Sequence, residues 1–317
     1  MRFCARRVFS GILALFLLCA GLFAQAEQAA APQTLKVHFL PLGRVDGILL
    51  ECGETRFFID SGTNAGGKKS VRYLKALGID ALDGYIGTHA HRDHVGGAAR
   101  IIAAFSPATV YVPYGDMKKA IVAYAETPKD KRAAKKADYT VLKAGDEIAL
   151  GDARIDCLGP LNIEHEGFSS VAENNNSLIL KVTLGNTSFL LTADTREQIL
   201  DAIDRKNPGV LASDVLKNPH HNADISLASV ARVAPKYVVF TTDESHVPLK
   251  TYTAALLENG VRLYSTANDD AGCVVFTSDG ENIRVEAARK TTAIRFKKTD
   301  IAMTVGQKGR LTPLLTP

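Results

Sequence analysis

The chain has 317 residues, 46% of them hydrophobic and 23% charged, with a formal net charge of +4 and no tryptophan. That length buries a core in one large domain or two ordinary ones, and the composition excludes a disordered or fibrous chain. So small a net charge also excludes nucleic-acid affinity by charge alone.

At the N-terminus, Arg2, Arg6 and Arg7 precede an apolar run over 12–23, and Ala24-Gln25-Ala26 offers a small-x-small cleavage site. This is the layout of a secretory signal peptide, and the run is short for a membrane span. Residues 1–26 are expected to be removed and the protein exported, to the periplasm, the cell surface or the medium. An uncleaved N-terminal anchor is the alternative. Loss of 1–26, with three arginines and no acid, takes the formal charge from +4 to +1. Cys52, Cys157 and Cys273 remain, widely spaced and each in an apolar, strand-like context. They are expected to be buried free thiols, with one disulfide as the alternative in an exported protein.

Residues 27–34 read as an Ala/Gln-rich linker. Strands are predicted at 35–40, 47–52 and 56–59, the last ending in Asp60-Ser61-Gly62, followed by a helix at 69–77 with Val71, Leu74 and Leu77 on one face. A strand at 82–87, a helix at 96–105 and a strand at 109–112 come next. Residues 117–136 read as a helical insert whose cations (Lys118, Lys119, Lys129, Lys131, Arg132, Lys135 and Lys136) form a solvated face or contact an anionic substrate. Strands follow at 147–150, 153–158, 177–183 and 188–192, then a helix at 196–205, a strand at 215–217 and a helix at 225–233. A strand at 237–241, a helix at 252–259 and strands near 262–264, 272–277 and 283–286 complete a domain over 35–287. Two strand-rich halves, each carrying helices, predict an α/β fold with two sheets face to face and helices outside. Residues 288–317 stand apart. Their strand–turn–strand pattern over 301–311 resembles the start of a bacterial Ig-like domain, which would suit cell-wall association; an ordinary tail is the alternative.

The densest chemistry lies in Thr88-His89-Ala90-His91-Arg92-Asp93-His94-Val95-Gly96-Gly97. Imidazole and carboxylate are the ligands that zinc and its neighbours take from proteins, and four of them fall here within six residues. The glycine pair lets backbone approach closely as the next helix starts. Asp194 ends the apolar strand Leu190-Leu191-Thr192-Ala193, where it serves as a ligand or as a helix cap. His220 and His221 follow Leu216-Lys217-Asn218-Pro219. One of the pair is expected to bind metal and the other to meet substrate phosphate, in an order the residues leave open.

The His-x-His-x-Asp-His run, with Asp194 and the histidine pair, resembles the metallo-β-lactamase superfamily. That resemblance implies a four-layer αββα sandwich. It also implies one metal held by His89 and His91, a second by Asp93, His94 and one of His220 or His221, and Asp194 bridging. Residues 37–50, Asn174-Asn175-Asn176-Ser177-Leu178-Ile179-Leu180 and Ser245-His246-Val247-Pro248 carry the likeness further, towards competence-type (ComEC-like) DNA-uptake proteins and bacterial phosphorylcholine esterases. Many superfamily members place a third histidine where Glu173-Asn174-Asn175-Asn176 stands here, which weakens the first metal position. The expected cofactor is Zn2+, one or two ions, or else Mn2+. The expected activity is an exported phosphodiesterase that uses a metal-activated water on an anionic phosphodiester of nucleic acid or the cell envelope. Asp93 and Asp194 are expected to orient that water, and His246 to contact a phosphate oxygen. Hydrolysis of a carboxylic ester, lactone or β-lactam is the alternative activity, and a surface-binding module with structural metal the non-enzymatic one. His38 is expected to be structural, and Asp46 and Asp60 to orient ligands or loops near the site.

Overall fold

Strands β1 (Leu35–Phe39), β2 (Ile48–Cys52), β3 (Thr55–Ile59), β4 (Gly84–Ile86), β5 (Thr109–Val112) and β6 (Tyr139–Val141) come first in the chain. They are followed by β7 (Glu147–Leu150), β8 (Ala153–Gly159), β9 (Ile179–Leu184), β10 (Thr187–Leu191), β11 (Val215–Lys217), β12 (Tyr237–Phe240) and β13 (Arg262–Ser265). The last two are β14 (Val274–Ser278) and β15 (Ile283–Ala287). The computed structural model describes residues 33–164, 167–168, 170–223, 225–246, 248–267 and 273–287. The expected signal peptide (1–26), most of the expected linker and the segment 288–317 lie outside the described residues.

The strands form an eight-stranded sheet, β15-β14-β1-β2-β3-β4-β5-β6, and a seven-stranded sheet, β13-β12-β11-β10-β9-β8-β7. Each sheet changes from antiparallel to parallel partway across. β1, β2 and β3 pair antiparallel, whereas β3 to β6 run parallel. β8, β9 and β10 pair antiparallel, whereas β10 to β13 run parallel. The parallel strands need crossovers, and helices supply them. These are α1 (Asn64–Ala76), α2 (Arg92–Val95), α3 (Ala98–Phe105), α4 (Met117–Tyr124), α5 (Pro128–Lys136), α6 (Glu197–Lys206), α7 (Leu227–Val233) and α8 (Lys250–Glu258).

Side-chain alternation along the strands sorts the core into three apolar layers. Leu35, Val37, Ile48, Leu50, Leu180, Val182, Phe189 and Val239 meet between the sheets. Leu49 and Phe58 turn the other way, onto Leu74 of α1 and Ile101 and Phe105 of α3. Leu190, Leu216, Val238 and Phe240 turn outward onto Leu200 of α6, Val230 of α7 and Leu256 of α8. Three layers between four kinds of surface are the αββα sandwich. Cys52, Cys157 and Cys273 are buried free thiols. His38 is held by Tyr73 Oη at 2.8 Å and faces Glu51 at 3.2 Å, within the wall of the first sheet.

The cationic insert is two helices rather than one. Thr127 caps α5 by accepting from the Asp130 amide, and Pro128 occupies its first turn, so the chain must restart there. The run after His91 is likewise split into α2 and α3. Gly97, between them, lies against Gly67 of α1 so closely that a Cβ on it would stand 2.6 Å from the Gly67 Cα. Gly97→Ala is therefore expected to lower stability by about 1–3 kcal/mol, the usual cost of overpacking, here against backbone that cannot rotate away. Urea unfolding reads this directly; an unchanged midpoint would refute the packing argument.

Candidate metal centre

The candidate metal ligands hang from one end of the two sheets. Asp60 follows β3, the His89–His94 run follows β4, Asp194 follows β10, and His220 and His221 follow β11. These are the carboxyl ends of parallel strands, where open α/β sheets leave a crevice. The backbone bends sharply to reach it. Six described non-glycine residues have left-handed backbone; Ser106 and Ala234 are helix C-caps. The other four, Asp60, Ala193, His220 and His221, lie at the centre itself, with φ of 56°, 46°, 50° and 63°. Such strain persists only where surrounding contacts overdetermine it, and it gathers at functional sites.

One atom from each of Asp46, His94, Asp194 and His221 lies within 4.8 Å of the others, and all four residues are buried. His94 presents Nδ1 to Asp60 Oδ2 at 2.7 Å, and its Nε2 lies 3.1 Å from Asp194 Oδ1. His221 has Asp46 Oδ1 3.3 Å from Nδ1, while its Nε2 is 3.5 Å from both Asp93 Oδ2 and Asp194 Oδ2. The two imidazoles stack with centroids 5.2 Å apart. Each histidine thus has a carboxylate behind Nδ1, which leaves the Nε2 lone pair facing inward. His94 Nε2, His221 Nε2 and Asp194 Oδ1 are buried without a hydrogen-bond partner. None of the three makes a well-aligned hydrogen bond, and their convergence on one spot is what a bound cation would satisfy. The donor set of two imidazoles and a carboxylate, with Asp93 beside it, fits a zinc-like divalent ion.

Asp46 belongs behind this set rather than in it. Its Oδ2 meets Lys217 Nζ at 2.6 Å, and its Oδ1 accepts from Thr241 Oγ1 at 2.6 Å as well as facing His221 Nδ1. Asp60 has the same station behind His94, where it also accepts from the Thr88 amide at 2.9 Å and hydroxyl at 2.7 Å. Burial pushes the Asp60 carboxyl up, against His94. Burial also works to raise Asp194, but His221 and His94 outweigh it and hold that carboxyl well below the usual range. Conversely, burial works to lower His94 and His221, but Asp194 with Asp60, and Asp194 with Asp46, raise both above the ordinary imidazole value.

His89 and His91 stand beside this set. The His89 and His94 rings are 4.1 Å apart between centroids. His91 Nε2 donates to the Ser170 carbonyl at 2.9 Å, so its Nδ1 is the lone-pair face; it lies 3.0 Å from His89 Nε2. Burial, then His94, keeps His89 well below the ordinary imidazole value and hence neutral. The two inward nitrogens face each other, and the 3-10 helix Val171–Asn176, with no histidine, is the segment in which many superfamily members carry a third one. Glu173 in that helix accepts from the Ala90 amide at 2.8 Å, from Tyr114 Oη at 2.6 Å and from Asn176 Nδ2 at 2.8 Å, so it braces the ligand run from beneath.

His220 is at the mouth, its side chain 42% exposed and its Nε2 3.6 Å from Asp194 Oδ2. Burial lowers its pKa in spite of Asp194. The adjacent histidines therefore divide: His221 points inward and His220 outward. His246 is engaged elsewhere. Its exposed ring is held by Asp243 Oδ1 at 2.8 Å and Ser245 Oγ at 2.9 Å, and no described contact joins it to the centre.

Two buried residues escaped the sequence reading. Glu173 gave no signal, because its partners are up to 83 positions away. Lys217 gave one: a lysine closing the apolar strand Val215–Lys217 just before the histidine pair.

A pH effect follows. In the metal-free protein His94 and His221 keep their protons to higher pH than free imidazole, and a metal must displace them. Affinity is therefore lost as pH falls through those raised values, by up to about 100-fold per unit while both protons are displaced. Zinc competition titrations at pH 6, 7 and 8 read this; a constant affinity would contradict the assignment of these imidazoles.

Comparison with known proteins gives three kinds of match. Residues 40–241 match the family model described as the Metallo-beta-lactamase superfamily. The chain is 26% identical over 211 residues to ComE operon protein 3 of Bacillus subtilis (strain 168), covering 63% of this chain and 25% of that protein. It is 23% identical over 279 residues to Competence protein ComA of Neisseria gonorrhoeae, covering 86% of this chain and 36% of that protein. The chain thus spans well under half the length of either relative. Among solved structures, the metallo-beta-lactamase fold protein YhfI from Bacillus subtilis aligns with a TM-score of 0.48 at 15% identity, covering 77% of this chain and 100% of that one.

Proposed function

The chain belongs to the metallo-β-lactamase superfamily and carries the ligand set of a metal-dependent hydrolase; from that premise we propose a phosphodiesterase, acting on nucleic acid or a cell-envelope phosphodiester outside the cytoplasm. The observation that supports hydrolysis is the convergence of His94 Nε2, His221 Nε2 and Asp194 Oδ1, buried and unpartnered. The phosphodiester follows from the competence-type resemblance and from the cations around the opening. Arg92 is exposed beside Asp93, and Arg44 holds Asn222 Oδ1 at 3.0 Å next to His220. Export rests on the arginine-led apolar N-terminus and Ala24-Gln25-Ala26.

His94, His221, Asp194 and Asp93 would hold a divalent ion, which would supply a Lewis acid to lower the pKa of water and polarise a phosphoryl oxygen. The protein's own groups do the rest. Asp60 and Asp46 hold the two imidazoles by their Nδ1 atoms, so that Nε2 is the nitrogen aimed inward and gives up its proton to a bound metal. Asp93, only partly buried, is held well below the usual carboxylate range by His221 and His94 against burial, so it stays ionised, and its free oxygen accepts a hydrogen bond that orients the attacking water. His220, neutral at the rim, donates to a non-bridging phosphate oxygen and so meets charge as it develops. Substrate contact by His246, as the sequence suggests, requires its ring to give up Asp243 and Ser245.

With zinc or manganese, the protein is expected to cleave bis-p-nitrophenyl phosphate and single-stranded DNA, and to leave nitrocefin intact. Turnover of nitrocefin alone would overturn the phosphodiesterase reading while leaving the hydrolase assignment in place.

A further inference from the structure

Lys217 is one of the largest wholly buried side chains, and it sits between the two carboxylates on which the metal centre depends. It closes β11, between Leu191 of β10 and Val239 of β12. Its Nζ reaches Asp46 Oδ2 at 2.6 Å and donates to the Ala193 carbonyl at 2.8 Å, with Asp194 Oδ1 3.9 Å away. Asp46 is the carboxylate behind His221. Ala193 is the left-handed residue that carries Asp194, and its carbonyl also accepts from the His220 amide at 3.0 Å. One ammonium thus ties the loop after β1 to the ends of β10 and β11.

We propose that Lys217 is a positioning residue for the metal centre, acting through Asp46 on His221 and through the Ala193 carbonyl on Asp194. This rests on the metal reading of the site. The physical interest lies in the opposition of two effects. A buried cation 3.9 Å from a metal-facing carboxylate repels a metal ion, so removing it should tighten binding if charge were all it contributed. If it positions the ligands, removing it loosens binding, because partners behind metal ligands are worth about 10–100-fold in affinity.

Lys217→Met keeps the length of the side chain and drops the charge. In the full chain, its zinc affinity, read by chelator competition, is expected to fall about 10–100-fold, and the visible spectrum of the cobalt-substituted protein to change. Asp46→Asn and Lys217→Met should lose less zinc affinity together than the sum of their separate losses, since the two residues share one ion pair. Zinc binding by Lys217→Met as tight as the parent's, or tighter, would overturn the proposal. Should Lys217→Met alone fail to fold, it is compared with Asp46→Asn in that variant's background, where no ion pair is broken: zinc binding weaker than that of Asp46→Asn alone supports positioning through the Ala193 carbonyl, and equal or tighter binding refutes it. Loss of nuclease activity with normal zinc binding in the parent would instead count against the proposed substrate and leave this inference standing.

Discussion

Asp194→Asn is expected to lower kcat/KM on bis-p-nitrophenyl phosphate by on the order of 10³-fold or more, the scale of removing a principal transition-state stabiliser. The substitution keeps shape and removes charge at the one carboxylate that reaches His94, His221 and the rim histidine His220 together. Its oxygens lie 3.1 Å from His94 Nε2, 3.5 Å from His221 Nε2 and 3.6 Å from His220 Nε2. An amide in that place gives up the negative charge that draws a cation to the crevice and offers that cation a weaker neutral oxygen. Zinc affinity should fall together with activity. His246→Ala makes the contrast: its ring is already satisfied by Asp243 and Ser245, so a change within about 10-fold is expected, below the scale of a general acid–base group. A loss with His246→Ala as large as that with Asp194→Asn would mean that the loop closes over the site and that the ring engages the substrate.

Metal removal should have the second large effect, and it should show in stability as well as in rate. The centre buries three carboxylates, Asp46, Asp60 and Asp194, with Asp93 half-buried beside them, and Lys217 is the one buried lysine near Asp46 and Asp194 among the described residues. An ion that binds the folded chain at 100 to 1,000 times its Kd stabilises it by about 2.7–4.1 kcal/mol. For a chain of this size each kcal/mol moves Tm by roughly 2–4 °C, so zinc should raise Tm by about 5–15 °C over the chelated protein. Chelation should also abolish turnover, and added zinc should restore it. Turnover that survives complete removal of metal would contradict the hydrolytic centre.

Much of this was legible in the sequence because the signals are local. Leu35, Val37 and Phe39 alternate within one strand, and that period already separates the face between the sheets from the face under the helices. The His89–His94 run states its chemistry in six residues, and its position after an apolar strand places it at a sheet end. What escaped is non-local. Asp46 and Lys217 are neighbours only because β1 and β11 lie in opposite sheets whose ends converge. Glu173 braces Ala90 from a 3-10 helix whose polar Glu-Asn-Asn-Asn sequence has neither helical nor strand periodicity. β6, three residues with two exposed side chains, carries no apolar pattern to read. Which of His220 and His221 faces the metal was also beyond the sequence. Two consecutive left-handed residues make a turn whose inward member is chosen by Asp46 and Thr241, both distant in the chain.

The central claim is that His94, His221 and Asp194 converge on a metal ion. A crystal of the zinc-loaded protein, measured on both sides of the zinc absorption edge, tests it most directly. An anomalous peak in contact with His94 Nε2, His221 Nε2 and Asp194 is the expected result, with or without a second peak at His89 and His91. Zinc bound only at His89 and His91, or no zinc in the crevice at saturating concentration, would contradict it.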